Sequence, residues 1–486
     1  MPSPIVVLIP LWLPGHLTSM LEAGERLLRC SGGAFSLTML IVPPPMDSDA
    51  ADVTSQIDHA MASGGSISFH RLPAVDHSSG LVHPSEYMQL YVPHVKDAIA
   101  GLAAPVAAVV IDWFATMLLD VARDLAVPAY VYFTSTAALL SLFLRLPEVL
   151  DEVADTLRDR DTTTGGGTVD VPGMPPVPAA SMPCPVENDY GWFAYAGRRF
   201  MEARGIILNT AAELEPDVLA AIADGRCAPA GHHRVPSVYP IGPVLSLKPP
   251  ADHQQSQPHE CVRWLDAQPP ASVVFLCFGS RGWMNTEQAR EVADGLERSG
   301  HRFLWVLRGP PPDDSSRYPT DADLDALLPE GFLSRTEGKG LVWPKWAPQQ
   351  EILAHAAVAG FVTHCGWNST LESLWFGVPM APWPLYAEQH LNAFEVVACM
   401  GVAVELRIRA ERRQDNFVET AELERAVRSL MGETEEGRKA RVKAAEMKAA
   451  CRKAVEKGGS SYAATQSVVH DILASYVPDK VTQPKV

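Results

Sequence analysis

No basic stretch precedes the apolar residues 5–13, and that run, interrupted by Pro10, is far too short to cross a membrane. A secretory leader and a membrane anchor are therefore not expected. The eight cysteines are scattered and form no C-x-x-C pair, which fits reduced thiols and a cytoplasmic protein. Basic residues are in short supply: 40 Lys and Arg against 57 Asp and Glu leave a net charge of −17. Nucleic acid, which needs a basic surface, is excluded as a partner. One phosphorylated small molecule is not, because a helix terminus and a few placed donors suffice. The chain also lacks G-x-G-x-x-G and Walker sequences, which counts against NAD and ATP.

What is present is an alternation of apolar runs and amphipathic stretches. At 486 residues the chain is too long for one core. Residues 5–10, 35–42, 106–112 and 128–133 read as buried strands, with helices over 16–30, 85–101 and 116–125. Residues 162–168, TTTGGGT, read as a low-complexity loop. The polar stretch 249–258, PPADHQQSQP, reads as a linker. A second series follows, with strands at 272–278, 303–307, 340–343, 357–363 and 380–382 and helices at 286–299, 370–376, 421–430 and 436–457. Continuous apolar strands between helices predict parallel sheets covered on both faces. The expected architecture is α/β, with two doubly wound domains facing a cleft. The expected bounds are 1–248, a linker at 249–258, 259–460, and a returning helix and tail over 461–486.

Ligands bind such sheets beyond the carboxyl ends of the strands. His16, Asp112, Ser280 and His364 all stand at predicted strand ends. After the strand 357–363 come His364-Cys365-Gly366 and then Asn368-Ser369 at a helix start, a natural anion site. Trp346 offers a flat face for a base, Glu372 an acceptor for ribose, and Glu388-Gln389 polar atoms for sugar hydroxyls. The stretch 346–389 is suited to a nucleotide sugar.

That stretch, WAPQQEILAHAAVAGFVTHCGWNSTLESLWFGVPMAPWPLYAEQ, closely resembles the signature box of plant family 1 UDP-glycosyltransferases. The likeness extends over nearly the whole chain, through the His16 loop, VVIDWF, YFTST, VVFLCFGS, VPGMPPVPAASMP and GIILNTAAELEP. It implies a GT-B fold, UDP-glucose as donor, no cofactor or metal, and a monomer acting on small phenolics such as flavonoids or chalcones. By resemblance, Trp346 stacks on uracil, with Ala347 and Gln349 near base and ribose, and Glu372 binds the ribose. Ser280, His364, Asn368 and Ser369 would contact the diphosphate. Thr134, Trp367, Glu388 and Gln389 would face the sugar, and Gln389 fits glucose. Two departures stand out: Glu388 where Asp is common, and Arg281-Gly282-Trp283 after Ser280. Asp321-Ala322-Asp323 spells D-x-D but lies in a polar, Pro-rich stretch and reads as a solvated loop.

Acceptor contacts are expected from Trp12, Met88, Phe114, Phe133, Tyr190, Trp192 and Phe193, although each serves equally well as core packing. Imidazole exchanges a proton near neutral pH, so His16 is the candidate base for an acceptor hydroxyl, with Asp112 orienting it. Two other functions fit less well: C-glucosylation of a phenolic ring, and a UDP-sugar sensor without turnover. His16→Ala is expected to abolish nearly all O-transfer while UDP binding persists, and Asp112→Asn to cut turnover as well. Turnover and UDP binding measured on both variants check this; substantial activity of the alanine variant at neutral pH removes His16 as the base.

Overall fold

The computed structural model describes residues 3–62, 66–76, 83–158, 167–184, 190–229, 231, 234–247, 258–312, 318–409, 412 and 415–476. The expected loop at 162–168 lies outside these except for its last two residues, and so do all but the last residue of the linker and the tail after 476. Two parallel sheets organise the chain. The first holds β1 (Ile5–Ile9), β2 (Ser36–Ile41), β3 (Ile67–Arg71), β4 (Val106–Asp112), β5 (Ala129–Phe133), β6 (Gly205–Leu208) and β7 (Ser237–Pro240), in the order 3-2-1-4-5-6-7. The second holds β8 (Val273–Cys277), β9 (Arg302–Val306), β10 (Gly340–Trp343), β11 (Val358–Thr363) and β12 (Met380–Pro382), in the order 10-9-8-11-12. The central strands β5, β8 and β11 are buried along their whole length, as helices on both faces require. Three strands of the first sheet, β3, β6 and β7, were not legible as strands in the sequence.

One expected helix is divided and another is shortened. Residues 85–101 form Pro84–Leu90 and Val92–Ala100, because Pro93 has no N–H to continue the ladder. The expected helix 116–125 shortens to Leu118–Asp124, preceded by a 3₁₀ turn, Trp113–Ala115. The turn is capped by Asp112, whose carboxylate accepts from the Phe114 N–H at 3.0 Å. No helix among the described residues is long and apolar enough to cross a membrane.

The helix Ser460–Ser475 returns to the first sheet and buries Val468, Val469 and Ile472 in that sheet's core. Asp471 fixes its position. It accepts from Tyr130 Oη at 2.6 Å and from Arg204 Nε and Nη2 at 3.1 and 2.7 Å. Burial alone would raise the Asp471 carboxyl, but the hydrogen bonds from Arg204 and Tyr130 outweigh it and hold the group below its ordinary value. A carboxylate depressed in the folded state adds stability above its unfolded pKa of about 3.9, and that stability is lost as pH falls through the folded value. Asp471→Asn is expected to cost about 1–3 kcal/mol at pH 7, with the gap between variant and parent closing in acid. Urea unfolding at neutral and low pH tests it; equal midpoints at pH 7 would mean that the apolar face alone holds the helix.

Candidate active site

In each sheet the strand order reverses beside the first-formed strand, between β1 and β4 and between β8 and β11. Chains leaving the two strands diverge there and open a crevice. His16 lies in the first turn of the helix Pro14–Ser31 after β1, and Asp112 ends β4. Ser280 follows β8 and His364 follows β11. Four polar residues thus stand at two facing switch points.

His16 Nδ1 lies 2.8 Å from Asp112 Oδ2, and Asp112 is fully buried. The other Asp112 oxygen is occupied by the Phe114 N–H. An ionised carboxylate only accepts, so the imidazole carries its proton on Nδ1 and keeps a lone pair on Nε2. Thr134 Oγ1 lies 3.4 Å from the same Nδ1 and accepts from Trp113 Nε1 at 3.1 Å. Thr134 therefore stands beside the base. Trp113 stacks near His16 with ring centroids 6.1 Å apart; the sequence reading overlooked it although it adjoins Asp112.

His364 is 7% exposed, with its ring between two glycines. A Cβ on either Gly279 or Gly366 would come within 2.6 Å of its Nε2. Burial pushes the imidazole down to about 4, against the opposing hydrogen bond with the Cys277 backbone. It is neutral at physiological pH and so carries a single N–H, which serves either the Cys277 backbone or an outside acceptor but not both. The helix Trp367–Phe376 begins immediately after Gly366 and points its N-terminus the same way. Asn368 Nδ2 donates across to the Gly15 carbonyl at 3.1 Å, tying this helix to the turn that carries His16. Ser280 is exposed at the mouth of the loop.

One turn deeper, Gln349 Nε2 donates to Ser369 Oγ at 2.9 Å and to Glu372 Oε2 at 2.6 Å, and Gln350 Nε2 donates to Glu372 Oε1 at 2.8 Å. Burial raises the Glu372 carboxyl, with both amides pulling it back. The amide donors of Gln349 are thus engaged with this cluster and not directed at a base; Gln350, a partner of Glu372, was missed. Trp346 is 62% exposed, a flat indole facing solvent, while neighbouring Ala347 is buried.

The sugar-facing set needs two corrections. The Trp367 indole is 3% exposed and its Nε1 donates to the Asn209 carbonyl at 2.6 Å, so the side chain joins the two halves and its indole N–H is taken. Gln389 Oε1 accepts from the Leu385 and Tyr386 N–H groups at 2.9 and 3.1 Å, which leaves only its NH₂ group for a sugar hydroxyl. Glu388 caps the same short helix, and burial raises its carboxyl, although His16 is near enough to oppose that shift. The carboxylate of one half and the imidazole of the other therefore share the cleft. In the D-x-D stretch, Asp323 caps the helix Leu324–Leu327 and Asp321 faces Arg308 at 3.6 Å.

On the acceptor side, Phe114 lies 5.7 Å from His16 and stacks on Trp192 at 4.9 Å and 17°. His83, not anticipated, meets Trp192 edge-on at 4.9 Å. Phe193 extends this wall against Phe143 at 4.3 Å. Met88 and Phe133 have no exposed surface, and Trp12 and Tyr190 are 2% and 7% exposed, so these four are core, not wall. Their aromatic and apolar character gave no means of telling the two roles apart.

Gly366 has φ −58°, open to alanine, so Gly366→Ala acts through the His364 ring alone. Overpacking of about 1–3 kcal/mol is expected to weaken UDP binding roughly tenfold or more while circular dichroism stays unchanged. Calorimetric titration with UDP checks it; unaltered affinity would show that the ring has room to move.

Residues 238–434 match the family of UDP-glucoronosyl and UDP-glucosyl transferases. Along 97% of its length the chain is 58% identical to malvidin galactosylase UGT88C3 of Oryza sativa subsp. japonica, of which 98% is covered. It is 41% identical to a putative UDP-glucose flavonoid 3-O-glucosyltransferase 3 of Fragaria ananassa, over 94% of this chain and 97% of that one. Among solved structures, a UGT transferase from Siraitia grosvenorii in complex with UDP superposes with a TM-score of 0.83 at 38% identity, covering 96% of this chain and 99% of that one. With its two Rossmann-like sheets in the GT-B arrangement, the chain belongs to the plant family 1 UDP-glycosyltransferases.

Proposed function

We propose that this glycosyltransferase moves a hexose from a UDP-sugar to a hydroxyl of a flavonoid-type phenol, with inversion at the anomeric carbon. The observation that carries the reading is the His16–Asp112 pair at 2.8 Å beside an aromatic wall. Asp112 holds the tautomer that leaves Nε2 free to take the acceptor proton, and Phe114 and Trp192 offer flat apolar faces to a phenolic ring. The neutral His364 and the N-terminus of Trp367–Phe376 stabilise the departing diphosphate, with no metal required. Oxygen rather than carbon is the acceptor atom, since a base fixed by a carboxylate is suited to an O–H proton. The names of the rice and strawberry relatives, a malvidin galactosylase and a flavonoid 3-O-glucosyltransferase, support the acceptor class.

Glucose is the donor that Gln389 supports by its place in the box. Galactose is a second reading, favoured by the name of the 58% identical rice relative. The two sugars differ only in the C4 hydroxyl, and the Gln389 NH₂, whose oxygen is taken by the Leu385 and Tyr386 N–H groups, is a donor that either epimer's hydroxyls accept. Initial rates with UDP-glucose, UDP-galactose and UDP-glucuronate against a flavonoid and anthocyanidin panel, with and without EDTA, test the proposal. Acid-labile glycosides formed equally well in EDTA are expected. Acid-resistant products would indicate C-transfer, EDTA sensitivity would restore a metal, and a galactose preference would replace glucose.

A further inference from the structure

Arg281 is unaccounted for by the reaction as described. It follows Ser280 in the loop after β8, at the switch point of the second sheet, and is half-buried. Its guanidinium makes no hydrogen bond or ion pair with the described residues. Arg308, which follows the neighbouring strand β9, is by contrast engaged with Asp321 and with the carbonyls of Pro319 and Thr320. Arg281 is also near enough to Tyr386, in the loop leading to Glu388 and Gln389, to influence that buried hydroxyl. It thus stands between the diphosphate loop and the sugar loop.

The charge balance of the site indicates what such a group does. The diphosphate of a UDP-sugar brings net negative charge, and more develops as the sugar leaves. The partners already described are dipoles: a neutral His364, the Ser280 hydroxyl, and a helix N-terminus equivalent to about half a charge. Arg281, half-buried and without a partner among the described residues, carries a positive charge that an anion would match. We propose that Arg281 is a further catalytic residue, a cation that pairs with the β-phosphate and takes up the charge of the departing UDP. In the transfer, the acceptor oxygen forms the new bond to the anomeric carbon and gives its proton to His16 Nε2. The bond from that carbon to the β-phosphate oxygen breaks with its electron pair, and the oxyanion so formed is the partner of Arg281. A fixed cation at that point contributes more in the transition state than in the ground state.

The assignment rests on a UDP-sugar as donor and is separable from it by nucleotide binding alone. UDP and UMP differ by the β-phosphate, so calorimetric titration of the parent, Arg281→Met and Arg281→Lys with each nucleotide isolates the contact. UDP is expected to bind Arg281→Met roughly tenfold to a hundredfold more weakly, with UMP affinity changed by no more than about twofold and with Arg281→Lys recovering part of the loss. Turnover should fall with UDP affinity while the acceptor KM stays level. Unchanged UDP affinity, or an equal loss for UDP and UMP, would overturn the role, as would a rise confined to the acceptor KM, which would place Arg281 on the acceptor side. A parent that bound UDP no better than uridine would overturn the donor reading itself.

Discussion

Everything functional here depends on strand order. A parallel sheet wound outward in both directions from one strand leaves a crevice where the winding reverses, and this chain builds two such sheets. His16, in the helix after β1, and Asp112, at the end of β4, meet although 96 residues apart in sequence, because β1 and β4 are neighbours at the reversal. The loops that follow β8 and β11 meet for the same reason, with Gly279 against the His364 ring. One topological rule, applied twice, sets the His16–Asp112 pair opposite His364 and the helix Trp367–Phe376.

The two halves are joined by polar contacts that pass through or beside the site. Trp367 donates to the Asn209 carbonyl, Asn368 to the Gly15 carbonyl, and the Cys184 N–H to the Ala387 carbonyl at 2.8 Å. Two acidic side chains share the same interface: Glu215 and Glu395 are 3% and 2% exposed. Burial, reinforced by the adjacent Glu215, pushes Glu395 well above the ordinary carboxyl range, while Glu215 accepts from the Ala138 N–H at 2.9 Å. Holding Glu395 protonated beside Glu215 avoids burying two like charges together. The contacts that hold the halves together are thus short and directional, suited to keeping His16 and the stretch 346–389 in register.

Burial is used differently in the two halves of the site. In the nucleotide half it removes charge, leaving His364 neutral between two glycines. In the acceptor half Asp112 is buried with both oxygens occupied, so its carboxylate orients His16 without competing for the substrate. The aromatic wall from His16 through Phe114 to Trp192 and His83 then presents ring faces with few polar atoms.

The linear order of residues carried much of this. Apolar runs marked the central strands because those strands are buried on both faces, and the ordered box 346–389 marked the nucleotide half because its residues are close in sequence. The resemblance likewise carried His16 and Asp112 as a pair. Pairings that lie far apart in the chain and outside any motif were left to the tertiary structure. Only folding decides that the Trp367 N–H meets Asn209, that the Gln389 oxygen is taken by its own loop, and that Asp471 clasps Arg204 and Tyr130. Whether an aromatic residue is core or wall was equally beyond the sequence. Phe133 and Phe114 are the same side chain in similar local company, and only their position relative to the cleft buries one and leaves the other beside His16.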